Sequence, residues 1–272
     1  MHRIPQSIAA ILLLTLLGCA QTQPTLNDEQ RTRQRIESTG LTESENETRV
    51  AGIADRIEDA YAACSTLSLT ATITEPLYPE TKRVELAMTP DKLKARIFID
   101  DVPVLVWTLA DGRWEEFKSE YNGEPKAHLI RTPESDEGPL DVTLSDGIER
   151  HMCGLGGYYQ TWLAPDSRRI EYFASRIAKG SWIANEKVHG RQCDVVACLP
   201  NERYGGTELI YVRPDGFVAR WESIRPTERD GPPKLMRIRT YSNYRTTPLP
   251  DATWNLEIPP DPMPPPKSDG PF

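Results

Sequence analysis

Histidine is scarce in this chain of 272 residues, which has only four. None of them sits in an H-E-x-x-H run, and there is no G-x-S-x-G, no P-loop and no dinucleotide-binding glycine fingerprint. These absences remove the enzyme classes whose chemistry is legible from local spacing. His151 and Cys153 are two apart, but a zinc site takes three or four ligands, so no metal and no cofactor is expected. A basic excess is also missing. Lys and Arg number 32 against 40 Asp and Glu, a formal net charge of -8, and nucleic acid is not the expected partner because binding it wants a basic face. Nor is there a membrane-spanning run at the start. Ile8 to Leu17 covers ten residues, whereas a spanning helix needs about 20. Apolar residues make up 38%, low for a globular chain, while the 24 prolines gather in loops and at the C-terminus, which suits a β-rich fold.

The short apolar run follows Met1-His2-Arg3 and leads into Leu16-Leu17-Gly18-Cys19. A basic start, a short apolar stretch and a small residue before a cut define a secretory signal, here residues 1–18. With cysteine directly after the cut, the segment resembles a bacterial lipoprotein signal. The resemblance implies that Cys19 becomes the first mature residue and carries lipid on its sulfur and amino group. Each acyl methylene buried in a bilayer contributes about 0.8 kcal/mol, so the membrane is an expected partner through this anchor. Ala20 after the cysteine implies the outer membrane, at its periplasmic face. Loss of residues 1–18 removes Arg3 and leaves a chain of formal charge -9.

Residues 19–47 are polar and read as a lipidated tether without fixed structure. A helix is expected over 48–64, with Thr48 as its cap, because Val50, Ile53, Ile57, Tyr61 and Cys64 share one face. From Leu67 the pattern becomes β. Strands are expected at 67–74, 83–88, 93–100, 103–109, 113–118 and 126–131, with Asp111-Gly112 as a hairpin turn. One or two helices are expected near 157–163 and 166–174. A second strand group follows at 177–185, 191–199, 207–213, 217–225, 235–245 and 253–258. The domain is read as 48–260 and the proline-rich tail as 261–272. The fold class is mainly β (α+β): a strongly curved antiparallel sheet, or incomplete β-barrel, with a preceding helix and inserted helices covering the concave side.

Four cysteines remain beyond Cys19. An exported compartment permits disulfides among Cys64, Cys153, Cys193 and Cys198, and four cysteines allow three pairings. Cys193 and Cys198 differ by an odd offset on one strand and point to opposite faces, so longer-range partners are favoured over a bond between these two; free buried thiols are the alternative.

Three stretches resemble the periplasmic lipoprotein-carrier family (LolA/LolB-like): Ile57 to Leu69, a helix running into a first strand; Lys187 to Val196, a hairpin with Gly190 and Cys193; and Tyr241-Ser-Asn-Tyr244 followed by Pro248, Pro250, Trp254 and Pro259-Pro260. The resemblance implies an open barrel lidded by helices, with an apolar concavity that takes an acyl lipid or a lipoprotein. Among the aromatic residues on expected strands, Phe98, Trp107 and Trp221 are the candidates for lining it, since such pockets are mostly apolar; core packing is the alternative for each. Arg237, Arg239 and Arg245 read as the wet face of an amphipathic strand, or as a surface for anionic headgroups or envelope polymers. Acidic pairs such as Asp100-Asp101 and Glu115-Glu116 read as turns or solvated faces. No catalytic residue is assigned. The expected function is a membrane-anchored, ligand-binding envelope lipoprotein without catalytic activity. The alternatives are an envelope sensor or scaffold that binds a protein partner, and a hydrolase whose site has no local signature.

Overall fold

The fold is seen in a computed structural model that describes residues 27–77, 81–90, 92–99, 101–110, 113–119, 125–126, 169–198, 206–226 and 231–256. Two helices come first, α1 (Asp28–Ser38) and α2 (Glu43–Ala62). Strands β1 (Leu67–Thr74), β2 (Thr81–Met88), β3 (Leu93–Ile99), β4 (Val102–Ala110), β5 (Arg113–Ser119) and β6 (Pro125–Lys126) follow. Then come α3 (Arg169–Ala178), β7 (Ser181–Val188), β8 (Arg191–Cys198), β9 (Thr207–Val212), β10 (Val218–Pro226), β11 (Pro233–Arg245) and a 3-10 turn, Asp251–Trp254. The strands form one antiparallel sheet in the order β6-β5-β4-β3-β2-β1-β11-β10-β9-β8-β7. The last strand returns to pair with the first, joining two meanders, and β6 and β7 do not meet among the described residues. The expected mainly β, curved and unclosed sheet with a few helices is therefore present.

The stretch read as an unstructured tether is where the structure departs most from expectation. Residues 28–38 are helical, and α2 starts at Glu43 rather than Thr48. Both starts are capping boxes, in which the cap side chain accepts the backbone N–H three residues on and that residue's side chain reaches back. Asn27 pairs with Gln30 and Thr42 with Glu45 in this way. Near the other end, residues 251–254 form a 3-10 turn instead of the strand expected at 253–258. The helix expected at 166–174 runs 169–178, which delays the following strand to Ser181. The helix expected at 157–163, the turn Asp111-Gly112, the tail 261–272, Cys19, His151 and Cys153 lie outside the described residues.

Both faces of the sheet are used. The concave face carries Leu69, Ala71, Ile73, Val84, Leu86, Ala95, Ile97, Ile210, Val212 and Trp221, which form one cluster with Val50, Ile53, Ile57 and Tyr61 of α2 and Phe173 and Ile177 of α3. Each large apolar side chain contributes about 2 kcal/mol on burial. The convex face of the second meander has its own cluster, Cys193, Val195, Leu209, Tyr211 and Ile224, with Ile36 of α1 packed against it. Helix α1 has little apolar surface and is held by polar contacts. The Asp28 carboxylate accepts the Leu235 N–H at 2.8 Å, and Arg35 pairs with Glu186. Deeper in this face, the Tyr211 hydroxyl donates to Glu222 at 3.1 Å. Burial pushes the Glu222 carboxyl above its ordinary range, with Arg220 pulling the other way.

The two ends of the sheet differ. At one, the near end, lie Thr74, Cys198, Pro226 and the start of α1. At the other, the far end, tight turns join the strands. His189 and Gly190 both have positive φ, 48° and 76°, as a two-residue hairpin requires. The turn between β9 and β10 presses Gly216 onto α2. Gly216 has φ 84°, and a Cβ there would lie 2.1 Å from the Arg56 carbonyl oxygen and 2.7 Å from the Ala60 Cβ.

Gly216→Ala is expected to destabilise the fold by about 3 kcal/mol, from the left-handed backbone and overpacking together. Gly190→Ala, which meets nothing within 4 Å, should cost about 1 kcal/mol from the backbone alone. Urea unfolding of the two variants checks the difference; equal losses would show that the turn does not press on the helix.

Candidate functional site

The site is built on the concave face, where its apolar floor ends in charge. Strand alternation places Arg237, Arg239 and Tyr241 of β11 on this face, beside β10 positions Trp221 and Ser223 through the pairs Trp221–Arg239 and Ser223–Arg237. This reverses the reading of Arg237 and Arg239 as a wet strand face. Arg239 is only 6% exposed; its guanidinium carbon lies 5.3 Å from the Trp221 ring centre and one of its nitrogens is 3.4 Å from the Ser223 hydroxyl. The inversion arises because Met236 and Ile238, the apolar alternates, take the convex side at a partly covered margin. Arg245 is exposed at the far end of the same strand.

Further charges complete the set. Arg237 donates from Nε to Glu75 at 2.7 Å. Glu208, 5% exposed, faces Arg176 of α3 at 3.0 Å and Arg225 at 3.6 Å. Three guanidiniums thus pair with two carboxylates at the near end of the concave face, and a fourth, Arg239, lies beside them against Trp221. A buried carboxylate is stable only when so paired. Cys198 sits in the same neighbourhood, its sulfur 3.8 Å from the Arg176 carbonyl oxygen. Burial pushes its thiol up to about 12, which favours the neutral form.

The three aromatic candidates separate. Trp221 is in the concave core, 3% exposed, with its ring centre 5.4 Å from that of Phe173. Phe98 is buried on the opposite, convex face, under the Arg83 guanidinium at 3.8 Å. It shares that face with Glu85 and Arg96, since Arg83 pairs with Phe98 and Glu85 with Arg96 across the strands, so it does not line the concavity. Trp107 is paired through its backbone with Ala95 and Glu116, and its side chain is outside what is described. Cys64, Cys193 and Cys198 are free and buried, so no disulfide joins any of these three. Cys193 and Cys198 fall in clusters on opposite faces, as their odd spacing requires.

The residues that sequence reading missed are Glu208, Arg176, Arg225 and Glu75. They come from four separate parts of the chain, and only the arginine alternation in β11 left a local signal. Two open pockets flank the core. One, of about 250 Å³, lies at the far end between His189, Arg191, Arg213 and Tyr244. The other, of about 510 Å³, lies beside the connection of α1 to α2, against Lys179 and Trp182. Among the described residues no group of three or more His, Cys, Asp or Glu could hold a metal ion, and no helix is long and apolar enough to cross a membrane.

No family model matches the chain, and no curated protein matches it. Solved structures do align with it. The crystal structure of MucB gives a TM-score of 0.45 at 12% identity, over 77% of this chain and 63% of that one. The Pseudomonas aeruginosa MucA/MucB complex gives 0.42 at 14% identity, over 77% and 61%. Lipoprotein LppX of Mycobacterium tuberculosis gives 0.40 at 9% identity, over 75% and 98%. The chain therefore spans less than two thirds of the MucB chains it matches. Likenesses this partial carry no argument about function, and the architecture rests on the strand order itself.

Glu208→Gln should cost about 3 kcal/mol, because it leaves the largely buried Arg176 without its counter-charge. Thermal and urea unfolding would read the loss. An unchanged stability would mean that the guanidiniums do not converge on this carboxylate.

Proposed function

We propose that this chain is a non-catalytic, lipid-anchored binding protein of the bacterial cell envelope, whose ligand pairs an acyl chain with an anionic head. The observation that carries this reading is the composition of the concave face. Its apolar floor extends across strands of both meanders and ends, beside Trp221, in the arginine-rich set around Glu208 and Glu75. The floor is covered by α2 and α3, so an acyl chain would reach it by displacing one of these helices, while a phosphate or carboxylate matches guanidinium, which recognises either with two parallel hydrogen bonds. An acylated protein segment offers the same chemistry, so a lipid and a lipoprotein are both suitable cargo. The absence of catalytic motifs in the sequence and the burial of Cys64, Cys193 and Cys198, the cysteines among the described residues, support a binding role over a hydrolytic one. The anchor follows from the lipoprotein-type signal ending at Cys19.

A second reading, an envelope sensor or scaffold binding a protein, is favoured by one observation. Beneath α2 and α3 the core is packed, with Tyr61, Phe173 and Ile177 each at most 1% exposed. A protein partner needs no cavity there.

Native mass spectrometry of the full chain, followed by lipid extraction, separates the two. A co-purifying acylated molecule is expected; a mass that stays bare with added phospholipid and acylated peptide would leave the scaffold reading. Cys19→Ala is expected to move the protein from the membrane to the soluble fraction. Wild-type protein found soluble, with an unmodified Cys19, would overturn the anchor.

A further inference from the structure

The clamping of α1 to the sheet sets how far this protein can stand from its membrane. The first described residue, Asn27, caps α1, and Asp28 is bonded to Leu235 of β11 at 2.8 Å. Arg35 pairs with Glu186 of β7 and Ile36 packs on the convex cluster. Helix α1 is therefore part of the folded body and does not lengthen the tether. Eight Cα-to-Cα steps separate Cys19 from Asn27, and fully extended they span at most about 29 Å. A flexible chain of that length has a typical end-to-end distance of roughly 16 Å. A tether running to Thr48 would have allowed about 100 Å.

We infer that the near end of the sheet is held facing the bilayer that carries Cys19, so that the arginine-rich end of the concave face lies toward that membrane and the far-end turns point away. The inference rests on the lipid anchor at Cys19 proposed above. The occupant of the near-end surface is the anchoring bilayer itself, and the cause is tether length rather than charge attraction. Charge there is mixed among the described residues: Arg31 pairs with Asp28, Arg225 with Glu208 and Arg237 with Glu75. Held this way, the domain works on the membrane in which it is anchored, taking up or handing over an amphipathic ligand at that surface.

The test uses full-length lipidated protein in phosphatidylethanolamine and phosphatidylglycerol vesicles. A donor fluorophore is placed at exposed Lys234→Cys, near end, or exposed Lys187→Cys, far end, both in a Cys153→Ser background, with acceptors on lipid headgroups. The buried thiols of Cys64, Cys193 and Cys198 stay unlabelled in the native state. The two positions are separated by roughly 20 Å along the strand direction, and transfer is expected to be about two-fold or more higher from position 234. Insertion of a Gly-Ser spacer of about twenty residues after Thr25 should erase that difference, since the tether then reaches several tens of ångströms. The difference should persist in about 1 M salt, where the Debye length is near 3 Å. Equal transfer from both positions, a larger signal from 187, or loss of the difference in salt would overturn the inference while leaving the anchor intact. Wild-type protein that fractionates as soluble would sink the anchor and, with it, this placement.

Discussion

The seating of α2 in the trough of the sheet is the interaction on which the rest depends. Its apolar stripe, Val50, Ile53, Ala54, Ile57 and Tyr61, is fully or nearly fully buried, and without it the concave faces of both meanders would be open to water. A stripe alone leaves a helix free to slide or rotate. Asp194 removes that freedom. It accepts from Arg56 at 2.6 Å and from the Trp182 indole at 3.1 Å, while Arg49 lies 3.6 Å above the Trp182 ring. Hydrogen bonds to a charged acceptor are the stronger class, and here they connect one face of α2 to β7 and β8.

The same helix also closes an exposed edge. Strand β7 is the end of the sheet, and an edge strand is a template for unwanted pairing. The Asn46 carboxamide accepts from the Trp182 N–H at 2.8 Å and donates to the Gly180 carbonyl at 3.1 Å, taking the place of a neighbouring strand. A register shift between Trp182 and Ala184 breaks the regularity of the edge further along. Docking, edge protection and the cap at Thr42 therefore lie within one continuous segment, residues 42–61.

Much of the β architecture is legible from residue pattern. Strand β1 is legible to the residue because Leu67, Leu69, Ala71 and Ile73 alternate with polar neighbours, and the hairpins at His189-Gly190 and Asp215-Gly216 carry the glycines their backbones need. What is not legible has two physical origins. Helix α1 is bonded through Asp28, Arg35 and a single apolar side chain, Ile36, so it has no hydrophobic period to detect; only its capping box marks it. The buried charges of the concave face come together from the end of β1, β9, β10, β11 and α3, and alternation in one strand cannot say which side faces inward. For β11 the choice depends on Trp221 in the neighbouring strand, against which Arg239 stacks. Phe98 escapes sequence reading for the same reason, since its burial on the convex side depends on Arg83 and not on the concave core.

In the second meander the sheet is covered on both faces, and this makes the position of the charges informative. The convex face of the second meander is sealed by a thin polar helix, and its charges, Arg35 with Glu186 and Arg220 with Glu222, pair one to one across that seal. The concave face could have been completed with apolar residues alone, as it is from Leu69 to Ile97. Instead it ends in four arginines and two glutamates, at the end where α1 begins. Replacing buried ion pairs by well-packed apolar side chains is often neutral or stabilising, so packing alone does not explain them. Their place, at the margin of an apolar floor, is the one feature of the concave face that core packing does not require, and it is the feature on which the proposed binding role rests.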